Sequence, residues 1–178
     1  MYQRILVPID GSPTSDSGLK EAISLARLTG GRLRLIHVID NLSMTMAMGG
    51  YGAYSAEVFE GMRATGADII EAARSAVVAA GVNVETALHD NFEGPVHELV
   101  EAEALSWPAD LIVLGTHGRR GVRRMLLGSS AEYILRIATV PVLLIRAAEL
   151  PVKQAEPVKA DAREPFHLAL PGGALALE

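Results

Sequence analysis

The 178-residue chain contains no cysteine. That excludes a disulfide framework, thiolate metal sites and cysteine nucleophiles. Aromatic residues make up only 4%, so a core has to be built from Ala, Val, Ile and Leu. No apolar stretch approaches the ~20 residues of a membrane-spanning helix. The opening Met1-Tyr2-Gln3-Arg4 runs straight into a strand-like segment, without a charged leader followed by an apolar stretch. The expected compartment is therefore the cytoplasm, with no membrane partner. Positive charge is also scarce: 16 Lys and Arg against 21 Asp and Glu give a net charge of −5, which argues against general affinity for nucleic acid. What is abundant is apolar residues, 49% against 21% charged, the balance of a folded globular domain. The length suits one such domain.

Along the chain, short apolar runs alternate with helical patterns. Arg4-Ile5-Leu6-Val7-Pro8-Ile9 reads as a buried strand that enters a turn at Asp10-Gly11-Ser12-Pro13. Ser12 or Thr14 can cap a following helix of about 15 residues, with Leu19, Ile23 and Ala26 inward and Gly30-Gly31 as its stop. Arg32 to Ile39 forms a second strand. The segment from Asn41 to Ser55, with three Met, three Gly and two Tyr, has no period and reads as a flexible loop. Met44, Met46 and Met48 in it suit an adaptable apolar cover rather than a soft-metal site. Phe59, Met62, Ile69, Ile70, Ala73, Val77 and Ala80 mark a long amphipathic helix closed by Gly81. Val82 to Leu88 alternates as a third strand, and Gly94-Pro95 opens another helix. Asp110-Leu111-Ile112-Val113-Leu114 is a fourth strand. A helix from about Ser130 to Ala138 leads to the last strand, Val140-Pro141-Val142-Leu143-Leu144-Ile145.

This order predicts an α/β fold: a three-layer, doubly wound, Rossmann-like five-stranded parallel sheet with strand order 3-2-1-4-5. Ligands in such folds sit outside the carboxyl ends of the strands at the switch point. Here those ends carry Asp10-Gly11-Ser12 and Gly115-Thr116-His117-Gly118. The domain is expected to span residues 1–146. Residues 147–178, with four prolines and no period, read as a loosely attached tail. The alternative is that Phe166-His167-Leu168-Ala169-Leu170 docks on a partner subunit or on its own domain.

Between Gly115 and Arg136 lies a positive island, Arg119, Arg120, Arg123, Arg124 and Arg136, opposed only by Glu132. Gly115 and Gly118 let backbone approach a phosphate. Gly128-Ser129-Ser130 places N–H groups and two hydroxyls at a helix start, a natural anion site. Neither a Walker A loop nor the dinucleotide fingerprint is present. The spacing G-x2-G-x9-G-S/T after a strand ending Ile-Val-Leu-Gly resembles the nucleotide-binding subset of the universal stress protein family. The opening Arg4 to Ser12 and the closing Val140 to Ile145 extend the resemblance over about residues 2–146.

That resemblance implies roles by position. Gly115, Gly118, Gly128, Ser129 and Ser130 would hold the phosphates and part of the ribose. Asp10 would approach the ribose and metal-bridged phosphates, Pro8 and Ile9 would line the floor, and Val38 would offer backbone groups to the adenine edge. It implies ATP, or AMP, ADP or cAMP, with Mg2+ carried by the nucleotide. It also implies a homodimer through the last strand, and a role in stress response.

Each of these positions has a plainer reading. Asp10 can cap a turn, and the glycines can end a strand and start a helix. One or two of the arginines, Arg119 among them, reach phosphate while the others form a solvated face. His117 lies inside the cradle but equally suits a solvent-facing loop, and His37 reads as structural. His89, His97 and His167 show no ligand-like pairing, so no transition-metal site is expected. No Ser/His/Asp set and no poised base is visible, so binding is expected ahead of catalysis. The alternatives are slow ATP hydrolysis or self-phosphorylation carried by Asp10 and magnesium, a cyclic-nucleotide binder, and a nucleotide-independent interaction protein working through its tail.

Overall fold

The computed structural model of the chain describes residues 1–40, 56–90, 94–116 and 127–146. The expectations for the 41–55 loop, for His117, Gly118 and Arg119, for the arginine island before residue 127 and for the 147–178 tail lie outside the described residues. The chain divides into two units, Met1–Ala147 and Ala148–Glu178. Every strand and helix among the described residues belongs to the first.

Apolar β-branched and leucine-rich runs make the strands, and amphipathic stretches make the helices. In chain order the elements are β1 (Arg4–Pro8), α1 (Pro13–Thr29), β2 (Arg32–Ile39), α2 (Ala56–Ala79), β3 (Val84–Asp90), α3 (Val96–Ser106), β4 (Leu111–Gly115), α4 (Ser129–Ile137) and β5 (Val142–Ile145). The five strands are all parallel, in the order β3-β2-β1-β4-β5. Alternate residues of each strand face opposite sides. Ile5, Val7, Leu33, Leu35, Leu111 and Val113 pack with Leu19, Ala22 and Ala26 of α1 and Ile70, Ala73 and Val77 of α2. Leu6, Ile36, Ile112 and Leu114 pack with Val100 and Ala104 of α3 and Ala131 and Ile134 of α4. Two apolar layers therefore cover one sheet, the three-layer doubly wound arrangement expected. Each fully buried aliphatic side chain contributes about 1.5–3 kcal/mol.

Local signals set most element ends. Ser12 is the N-cap of α1 and its hydroxyl accepts the Ser15 N–H at 3.1 Å. Gly30 closes the helix at φ 68°, the left-handed conformation that glycine adopts without strain. β1 and β4 differ from expectation by one residue and two strands differ by two. β3 begins at Val84 rather than Val82, because Val82 turns back to bond Val77 and the pairing with β2 starts at Leu33↔Val84. It runs on to Asp90 opposite Ile39, so alternation gave the face but not the ends. β5 begins after Pro141, which has no N–H for the ladder.

One part of the second layer is charged. Glu103 of α3 is buried, 6% exposed, and pairs with Arg34 of β2 and with His89 Nε2–H of β3 at 3.0 Å. Glu85 accepts from Arg34 at 2.9 Å and from the Trp107 indole at 3.2 Å. His97 stacks on Tyr133, ring centroids 4.7 Å apart. His89 and His97 are thus taken up in packing between elements. No helix among the described residues is long and apolar enough to cross a membrane.

Candidate nucleotide site

The order β3-β2-β1-β4-β5 puts the switch point between β1 and β4, where the chain reverses its direction of growth across the sheet. These two strands pair only at Ile5↔Leu111 and Leu6↔Ile112. β1 continues to Pro8 and β4 to Gly115, so the strands part towards their carboxyl ends. Pro8, Ile9 and Asp10 lie on one side of the opening and Gly115 and Thr116 on the other.

The Asp10 turn is fixed by side chains. One Asp10 carboxylate oxygen accepts the Ser12 N–H at 2.9 Å, and the Asp10 N–H donates to the Ser15 hydroxyl at 3.2 Å. Gly11 sits at φ 76° between them. The turn-capping role of Asp10 is therefore real, and it also holds the carboxylate at the mouth of the opening.

Gly115 has a cause that spacing alone did not show. A Cβ there would lie 2.7 Å from the carbonyl carbon and oxygen of Thr14 and 2.9 Å from the Ser15 nitrogen. The first turn of α1 rests directly on the end of β4. That contact brings the Asp10 turn and Gly115 together, and Gly18 of α1 continues it, its own missing Cβ falling 3.3 Å from the Gly115 nitrogen.

On the far side, Gly128 is the N-cap of α4 and, lacking a side chain, makes no cap bond of its own. The N–H groups of its first turn carry the positive end of the helix dipole. Gly128 N–H donates to the Thr116 carbonyl at 2.9 Å, and Thr116 N–H donates to Ile145 at 2.9 Å. The start of α4 is thereby moored to the ends of β4 and β5, and Ser129 and Ser130 are exposed on it. Val38 lies near the end of β2, with His37 beside it buried at 4% exposure. The structure thus gathers Pro8, Ile9, Asp10, Val38, Gly115, Gly128, Ser129 and Ser130 at one end of the sheet. Sequence reasoning passed over Ser15 and Thr116, each of which ties two neighbouring segments of the site by hydrogen bonds. The only trace of Ser15 in the sequence is its place three residues after the cap Ser12.

A model of the universal stress protein family matches residues 1–146. The chain belongs to the universal stress protein family. A putative universal stress protein of Staphylococcus saprophyticus is 32% identical over 151 residues, covering 84% of this chain and 87% of that one. Among solved structures, a universal stress protein in complex with cAMP matches at 22% identity and TM-score 0.57, covering 83% of this chain and 98% of that one. The universal stress protein of Archaeoglobus fulgidus in complex with dAMP matches at 23% identity and TM-score 0.58, covering 81% and 98%. At these identities the last two speak for the fold alone.

Proposed function

We propose that this chain is an adenine-nucleotide-binding member of the family, a cytoplasmic homodimer whose nucleotide occupancy serves a stress response. The observation that carries the reading is the parted β1–β4 end with the glycine-led start of α4 moored beside it. An anionic group there meets several backbone N–H donors and a helix dipole at once. Gly128, Ser129 and Ser130, with His117, Gly118 and Arg119 from the preceding loop, would hold the phosphates. Asp10 would approach the ribose or a Mg2+ carried by the nucleotide. Pro8 and Ile9 would form the floor, and Val38 would face the adenine edge. ATP is the ligand the cradle suits best.

Equilibrium binding of ATP with magnesium to the purified chain tests the reading. We expect saturable binding, and its loss in Gly128→Val with the fold intact. Absence of binding at millimolar nucleotide sinks it. A monophosphate or cAMP is the second reading, because a cradle for adenosine and one phosphate would serve either; competition against ATP separates the two. The apolar edge strand β5, whose residues are only part-buried in the single chain, supports the dimer.

A further inference from the structure

β2 runs on past the end of β1. Their last pair in register is Pro8↔Ile36, followed by a bond from Ile9 N–H to the Ile36 carbonyl at 2.8 Å. A parallel ladder would next take the Val38 N–H to the Ile9 carbonyl. The register contains no such pair, although β2 runs on to Ile39. The Ile9 carbonyl instead meets His37 Nδ1 at 2.6 Å. A carbonyl oxygen only accepts, so Nδ1 carries the proton and the ring donates.

Alternate strand residues point their N–H and C=O the same way. Val38 therefore turns both towards the line of β1, as Ile36 does, but at a level where β1 has ended. The peptide between Ile9 and Asp10 is held at both ends, its oxygen by His37 and its N–H by Ser15. Space for the ring comes from α2. A Cβ on Gly66 would lie 3.0 Å from His37 Cδ2 and 3.2 Å from Ile39 Cγ1.

We propose that His37 is a positioning residue of the nucleotide site: its Nδ1–H holds the Ile9 carbonyl in place of the next ladder bond and so leaves the Val38 backbone to the adenine edge. The inference rests on the adenine-nucleotide reading and deepens it. One ring ties the adenine side, through Val38, to the ribose side, through the peptide before Asp10. The phosphate end is untouched by it.

The test uses the full chain, with ATP and inorganic triphosphate as probes. His37→Leu should weaken ATP by about tenfold, the worth of one hydrogen bond, and leave triphosphate affinity unchanged. His37→Asn, which returns an amide N–H near the Nδ1 position, should restore most of the loss. Ring nitrogen NMR of the unliganded protein should show Nδ1 protonated. Wild-type ATP affinity in His37→Leu overturns this inference alone, as does an unprotonated Nδ1. Failure of the unaltered protein to bind ATP overturns the nucleotide reading and this inference with it. Should His37→Leu not fold, Gly66→Ala decides in its place by crowding the ring: weakened ATP binding supports the inference and unchanged binding overturns it.

Discussion

The two ends of the sheet are built from similar residues and differ in what their backbone is bonded to. At the amino end, the Asp110 carboxylate accepts the N–H groups of Gln3 and Arg4 at 2.9 and 3.1 Å. Arg32 N–H donates to the Gln3 carbonyl and Asp110 N–H to the Arg4 carbonyl, both at 2.9 Å. The Thr29 hydroxyl donates to Tyr2 at 3.0 Å, and the Gln3 side-chain amide donates to Thr29 at 2.7 Å. This end carries an open polar depression of about 440 Å³, yet the backbone groups around it are largely engaged. At the carboxyl end, β1 and β4 part, β2 runs on past its last pair with β1, and α4 starts at a glycine. The presence of a hollow does not separate the two ends. Among the described residues, what separates them is how far the backbone groups are bonded within the fold.

The largest expected effect tests how the carboxyl end is held together. In Gly115→Ala the new Cβ would meet Thr14 backbone at 2.7 Å, and α1 has to move to admit it. Overpacking against backbone costs about 3 kcal/mol, read as a lower denaturant midpoint with unchanged slope. A fully stable Gly115→Ala would mean that α1 is not seated on β4, and the Asp10 turn would lose its anchor at the site. Gly128→Val, by contrast, should lose ligand and keep stability. Two glycines of one motif then separate into a packing role and a binding role.

The middle effect lies at the amino end. Asp110→Ala removes the acceptor of two backbone N–H groups, one exposed and one part-buried. The expected cost is about 1–2 kcal/mol in urea unfolding, with ATP affinity unchanged. If affinity falls as well, the two ends are coupled through β1 and the contrast between them fails.

Most of the architecture was legible because it depends on patterns a chain cannot hide. Apolar runs of β1, β2 and β4 bounded by Gly, Pro and Ser, with helical periods between them, leave little beyond a doubly wound sheet. The candidate site was placed by topology, and its proposed phosphate residues by the G-x2-G-x9-G-S/T spacing. Causes were less legible. Gly115 reads as a phosphate glycine from spacing, whereas its missing Cβ answers to Thr14, a contact set by how α1 sits on β4. His37 reads as one more strand residue, because its bond to Ile9 depends on where a ladder ends in space. The Arg34–Glu103–His89 group, centred on the buried Glu103, joins β2, α3 and β3, and no local period announces it. Sequence shows which residues face inward; which partner each polar group finds there is decided by tertiary register.

The smallest effect asks whether bonded backbone, rather than lost charge, explains the Asp110 result. Glu71 on α2 offers a carboxylate remote from either end, its side chain 58% exposed and bonded to Arg74 at 2.8 Å. The hydrogen bond from Arg74 holds the Glu71 carboxyl below its usual pKa and raises that of Arg74. A depressed carboxyl pKa contributes its stability above the unfolded value and loses it as pH falls through the folded one. Both partners are open to water, where screening and side-chain entropy consume most of an ion pair. Glu71→Gln should therefore leave Tm at pH 7 within about 1 °C of the unaltered protein. Any difference should vanish in acid, where Glu71 is neutral and resembles its replacement. A loss as large as that of Asp110→Ala would show that stability follows carboxylates wherever they stand. The amino end would then owe nothing special to the two N–H groups that Asp110 holds.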